Sequence, residues 1–155
     1  MSFSLSADFK KQVYNTCCQV ILDKKGVLEA EMKSALDSGN EASKSSVGDK
    51  HETGRAMAQL AQENLSKQIH QLNKLQQAID SINPQLTSKQ VELGCLVRTN
   101  SMLVFIGVSL GEIKVKGHSI FAISMASPLG QAMKGKNQGE HFLFNGQHVE
   151  ILELR

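Results

Sequence analysis

Two long helical stripes joined by a short polar stretch constrain this chain more than any other feature. In the second, from about residue 50 to 82, Ala58, Leu65, Leu72 and Ile79 recur every seven residues, with Ile69, Leu75 and Ile82 between them. In the first, from 6 to about 37, Val13, Cys17, Ile21, Leu28, Met32 and Ala35 recur at intervals of three, four or seven. Stripes this narrow cover one neighbouring helix and little else, so the two are expected to zip against each other. The segment 38–48, rich in Ser and Gly, has the composition of a loop and is long enough to reverse the chain, which makes an antiparallel helical hairpin the economical arrangement. At about 1.5 Å per residue, a second helix of roughly thirty residues extends roughly 45–50 Å. The tip of such a hairpin is expected to project into solvent.

The helical period stops at Asn83-Pro84, because the residue before a proline is driven out of the α region. Short strands are predicted over 91–99, 102–110, 112–115, 119–123, 141–144 and 149–154. Gly107, Gly111, Gly117 and Asn145-Gly146 punctuate them, the last pair being a strong hairpin signal. Ser127-Pro128 supplies an N-cap and a first-turn proline for one short helix, and Gly135 a stop. The expected fold is α+β, with a coiled-coil hairpin over 1–83 (tip about 38–52) and a small antiparallel sheet carrying one helix over 84–155.

Composition narrows the function. The chain has 155 residues, six Phe, one Tyr and no Trp, which suits modest cores and much elongated helix. A formal charge of +2 is no general nucleic-acid signature. Cys17, Cys18 and Cys95 form an odd set without metal-ligand spacing, which speaks against a disulfide framework. With no signal-peptide pattern at the amino terminus and no apolar run of membrane-spanning length, a cytoplasmic location is expected.

One motif carries chemistry: Gly48-Asp49-Lys50-His51-Glu52, at the start of the second helix. Asp49 and Glu52, three apart, fall on one face of that helix. Magnesium takes one or two protein carboxylates and keeps much of its shell for water and phosphate oxygens, so the pair suits a partial, shared cation site. Asp-x-x-Glu at a helix start also reads as a capping box, as does Ser46-x-x-Asp49, each worth about 1 kcal/mol. Lys44, Lys50 and Arg55 nearby either contact RNA or phosphate or simply keep the segment soluble.

Gly-Asp-x-x-Glu at the tip of a helical hairpin, followed by a small sheet domain, resembles the bacterial Gre transcript-cleavage factors. A second, distant match is Ser127-Pro128-Leu129-Gly130, a small helix, and then Gly135-Lys136-Asn137-Gln138-Gly139-Glu140 before a final strand. Together the two span the chain from about 7 to 154. The resemblance implies an FKBP-like carboxy-terminal domain that binds RNA polymerase and a coiled coil that enters the polymerase secondary channel. At the tip, Asp49 and Glu52 match the acids that help hold the second Mg2+ at the 3′ end of a backtracked transcript. The chain would then be no enzyme itself, but a stimulator of the polymerase's own nuclease activity. Ser127, Pro128, Leu129 and Met133 become candidates for the polymerase-facing surface.

The family usually continues after the second acid with Asn-Ala-Glu/Asp-Tyr, whereas this chain reads Thr53-Gly54-Arg55-Ala56. That departure leaves a non-cleaving or inhibitory channel binder as the alternative. Two further readings come from other classes. One is a coiled-coil interaction module unrelated to polymerase. The other is a prolyl isomerase on the FKBP-like sheet, for which Phe105, Phe121, Phe142 and Phe144 are the only aromatics in that half.

Overall fold

The computed structural model describes residues 4–44 and 48–155, with the side chains of 41–44 and 48–51 outside that description. The elements in order are α1 (Ala7–Lys44), α2 (Gly48–Asp80), β1 (Leu96–Thr99), β2 (Leu103–Gly107), β3 (Gly111–Val115), β4 (His118–Ser124), α3 (Pro128–Met133), β5 (His141–Phe144) and β6 (Gln147–Leu154). The class is α+β. The chain divides into two compact units, 1–20 with 77–155, and 21–76.

Within 21–76, α1 and α2 run antiparallel. Asp23, Lys24, Val27 and Leu28 face Gln68, Gln71, Leu72 and Leu75, and further along Ala35 and Gly39 meet Ala58 and Gln62. The sevens-spaced Ala58, Leu65 and Leu72 are buried, as is Ile21. α1 does not stop near 37, as its apolar stripe suggested, but continues to Lys44 through Ser38, Gly39 and Asn40. Gly39 is the reason that segment misleads. A Cβ there would sit 3.3 Å from Gln62 Nε2 and 3.5 Å from Ala58 Cβ, so the glycine lies at a close helix–helix contact rather than in a turn. Gln62 Nε2 also donates across the seam to the Ala35 carbonyl at 3.4 Å.

The other unit is a six-stranded sheet in the order β3-β4-β2-β1-β6-β5. Every adjacent pair is antiparallel except β2 and β4, which run parallel from Leu103↔Ile120 to Gly107↔Ser124. The sheet is therefore antiparallel, as expected, in every pairing but one. β3 lies on the outer side of β4, so the reversal at Lys116-Gly117 returns β4 in the direction of β2 and inserts it beside β2. Both two-residue hairpin turns have the paired positive φ that matches strand twist: 50° and 80° at Lys116-Gly117, 52° and 76° at Asn145-Gly146.

β2 is buried along its whole length, which places it at the centre of two cores. On one face Val104 and Ile106 join Val91, Cys95, Val97, Leu129, Met133, Phe142, Val149 and Ile151. Against the other face lie the ends of the long helices. Ser6 caps α1 through Phe9 N–H to Oγ at 3.0 Å, and Phe9 meets His118 edge-on at 5.7 Å. Ile82, just beyond α2, sits close enough to Gly94 and Gly107 that a Cβ at either would lie 3.0 and 3.3 Å from it. Glu153 ties the amino terminus down, accepting from Leu5 N and Ser4 Oγ at 3.0 Å and from Arg98 Nε at 3.2 Å. Burial pushes its carboxyl upward, and these hydrogen bonds with the Arg98 charge outweigh that and leave it lowered.

Candidate functional site

α2 opens at Gly48, so Asp49 and Glu52 both belong to its first turn. The carboxylates are stabilised there by the positive end of the helix dipole whatever else they do. Glu52 is exposed, and Thr53 and Arg55 after it are exposed as well. The side chains of Asp49, Lys50 and Lys44 lie outside the described residues, as does Ser46 of the alternative capping box. Gly54 does not break the helix. α2 is continuous from Gly48 to Asp80, and Gly54 is half-buried, four residues before Ala58 on the inner stripe. Arg55 flanks a shallow depression with Leu36, Gly39, Asn40, Gln59 and Gln62.

Two carboxylates supply at most a minority of the six oxygens that Mg2+ requires. No cluster of three or more metal-ligating side chains occurs among the described residues. Any ion held by two such carboxylates would take most of its ligands from elsewhere. Being exposed, Glu52 is accessible to such an ion and would exchange water of its own hydration shell for it.

The second motif has a geometry of its own. Ser127 caps α3, its Oγ accepting from Gly130 N at 3.0 Å and donating to Ser124 O at 2.7 Å, while Pro128 occupies the first turn. Gly130 is required by packing. A Cβ there would stand 2.4 Å from Ser124 O and 2.7 Å from Met125 O. Gly135 (φ +75°) donates to Val91 O at 2.9 Å, and Gly139 (φ +90°) to Ile151 O at 2.7 Å. Glu140 closes the intervening turn by accepting from Asn137 N at 3.0 Å. These residues thus seat α3 on the sheet and feed the chain into β5.

Leu129 and Met133, expected as candidates for a partner-facing surface, need correction. Met133 is fully buried and Leu129 is 9% exposed, both within the core beside Val104 and Ile106. A short helix seated on a sheet spends its apolar positions on that sheet. What this region turns outward is Pro128, Gln131 and Lys134. The isomerase reading finds no support either. Phe105 and Phe142 are buried, and the cavities beside Lys10 and beside Gln90 have no aromatic wall.

No family model matches the sequence, and no curated protein matches it. Among solved structures the chain is similar to one described as the structure of the transcription factor Gfh1, at 14% identity over 90% of this chain and 93% of that one, with a TM-score of 0.38. No family is assigned. At that identity and TM-score the likeness gives this chain no function.

Sequence reasoning passed over Lys10. Its side chain is 2% exposed, its ammonium donates to the Leu86 carbonyl at 2.6 Å, and burial pulls its pKa below the ordinary lysine value. The available signal was its place three residues before Val13 and seven before Cys17, on the apolar stripe. Buried thiols are shifted the other way. Burial pushes Cys17 up to about 12 and also raises Cys95.

Proposed function

We propose that this chain regulates transcription elongation by binding RNA polymerase, entering its secondary channel with the α1–α2 hairpin and presenting Asp49 and Glu52 to the active centre. The observation that carries the reading is the start of α2. Helix begins at Gly48, so both acids lie in a first turn that follows directly on the 45–47 connection between two antiparallel helices. The order of hairpin, sheet and Ser-Pro-capped helix supports it, as does the sequence resemblance in both motifs.

In this role the chain binds and positions. The pair of carboxylates adds two anionic oxygen donors to an ion that the polymerase holds loosely, raising its occupancy. A divalent ion bound there lowers the pKa of a coordinated water and stabilises charge on the phosphodiester oxygens. Lys44, Lys50 and Arg55 offer cations for the backbone of the transcript 3′ end.

A second reading keeps the binding and omits the cleavage. The observation favouring it is Thr53-Gly54-Arg55-Ala56, which places no aromatic side chain after the acids. Stalled, backtracked elongation complexes separate the two. The first reading expects wild-type protein to shorten the transcript and Asp49→Asn/Glu52→Gln to bind equally well without shortening it. Binding without cleavage by the wild type establishes the second. Absence of binding at low salt refutes both and leaves an interaction module with another partner.

A further inference from the structure

Beneath the loop that follows α2 lies a small cavity of about 160 Å³, lined by Lys10, Ser81, Ile82, Asn83, Leu86, Ser88, Glu92, Leu93 and Gly94. Its floor is unusual. The Lys10 ammonium has three protons to donate, and among the described residues it makes one hydrogen bond, to the Leu86 carbonyl. Among the described residues no carboxylate stands within ion-pair distance of it. A buried charge without a protein counter-ion is costly, because the protein returns only part of the hydration it gives up. Its surroundings offset only part of this cost. Glu92 and Cys95 act on Lys10 only through space, and the Arg155 guanidinium opposes its charge.

The walls divide into two kinds. Asn83 uses its Oδ1 to accept from Gln85 N at 3.0 Å, which leaves the amide N–H groups for another acceptor. Ser81 and Ser88 already spend their hydroxyl protons on Ala78 O and Glu92 Oε1, both at 2.6 Å. The apolar part of the lining is Ile82, Leu86 and Leu93, and the last two are 64% and 53% exposed. Exposed leucines beside a buried, underused cation make the pocket amphipathic. Its size admits several waters or roughly a two- to four-carbon acid.

We propose that this pocket binds a small aliphatic monocarboxylate, its carboxylate on Lys10 Nζ and the Asn83 amide and its alkyl end against Leu86 and Leu93. Glu92 at the wall selects for the charge. A dianion such as phosphate meets twice the repulsion from that carboxylate and finds no use for the leucines. A single negative charge gives Lys10 the counter-ion that the fold withholds. The site is independent of the polymerase reading, since Lys10 and its other lining residues, between 81 and 94, all belong to the sheet-bearing unit.

The test is a propionate titration of the full chain with its lysines labelled for NMR, at constant ionic strength against sodium chloride. Propionate is expected to shift the Lys10 side-chain signal saturably, together with the amides of Leu86, Ser88 and Gly94, and to raise the Lys10 pKa. Lys10→Met, which keeps the length of the side chain and removes its charge, should weaken propionate binding at least about tenfold, the loss of one charged hydrogen bond. Leu86→Ala alters an exposed side chain and should weaken propionate more than acetate. Shifts no larger than those from chloride mean that the pocket holds only water, and the proposal falls. Phosphate binding as tight as propionate overturns the carboxylate assignment.

Discussion

Replacing Gly130 with alanine adds one methyl group at the most crowded glycine of the sheet-bearing unit. The new Cβ would lie 2.4 Å from Ser124 O, and to reach even 3.0 Å the helix and the β4 end must separate by 0.6 Å. No flexible side chain can yield, since the second clash is with the Met125 carbonyl. Ser124 O is also the acceptor for Ser127 N and Ser127 Oγ, at 3.1 and 2.7 Å, so opening that gap pulls on the cap of α3. Overpacking of about 1–3 kcal/mol, added to a cap worth about 1 kcal/mol, gives a loss of about 2–4 kcal/mol. Gly26→Ala is the matched control. Nothing lies within 4 Å of that site in mid-helix, and alanine there should stabilise by about 0.5–1 kcal/mol. Urea unfolding followed by tyrosine fluorescence measures the first, because Tyr14 is the one tyrosine, there is no tryptophan, and its hydroxyl bonds Ile79 O within the same unit. Circular dichroism measures the second. A Gly130→Ala chain within about 0.5 kcal/mol of the wild type, the ordinary range for an uncrowded surface site, would refute the packing argument.

Three further outcomes follow from burial and contact. At pH 8 an aromatic disulfide reagent should modify Cys18, which is half-buried, well before the buried Cys17 and Cys95; burial raises all three thiols, so access decides, and equal rates for all three in the native chain would contradict this. Lys10 and Cys17 make opposite contributions at alkaline pH. Because burial lowers the Lys10 pKa, its penalty is relieved as pH climbs from that lowered value to 10.5; because Cys17 is raised to about 12, the stability it supplies below pH 9 is lost on the way to 12. Lys10→Met should therefore lose the gain and keep the loss, and an alkaline stability profile that overlays the wild type speaks against a buried ammonium. Gly39→Ala should change stability little, since the Gln62 side chain can give way and helix propensity improves, whereas Gly39→Ile should cost about 1–3 kcal/mol by forcing α1 and α2 apart. Comparable denaturation midpoints for the two variants would remove the close-contact account of that glycine.

Periodicity made much of this fold legible before any coordinates. The sevens-spaced Ala58, Leu65, Leu72 and Ile79 are buried, and β5 has the bounds its alternation predicted. What escaped was information held by neighbours distant in sequence. Gly39 reads as a turn until Ala58 and Gln62 are beside it, and the parallel pairing of β2 with β4 depends on where β3 goes. Lys10 looks like a solvated charge by residue type, although its place on the apolar stripe with Val13 and Cys17 hinted at burial. The candidate site was readable only as residue types at a spacing. Glu52 is exposed in the first turn of α2, which suits a shared ligand and a cap alike. In the Ser127–Glu140 motif the cap and stop of the short helix were legible, whereas the close approach of Gly130 to the Ser124 and Met125 carbonyls was not.

The sheet-bearing unit is discontinuous in the chain, since 1–20 and 77–155 fold together around an intervening stretch of 56 residues. Bringing such ends together from a random chain costs entropy of about 3.5 kcal/mol. The antiparallel zipping of α1 and α2 is built from contacts progressively closer in sequence toward the connection, and it draws Val20 and Gln77 together as it proceeds. The order of events in folding is then set by the hairpin: it should form first, and its closure should speed assembly of the sheet. A mutation in the 21–76 seam would in that case slow the folding of the sheet as well.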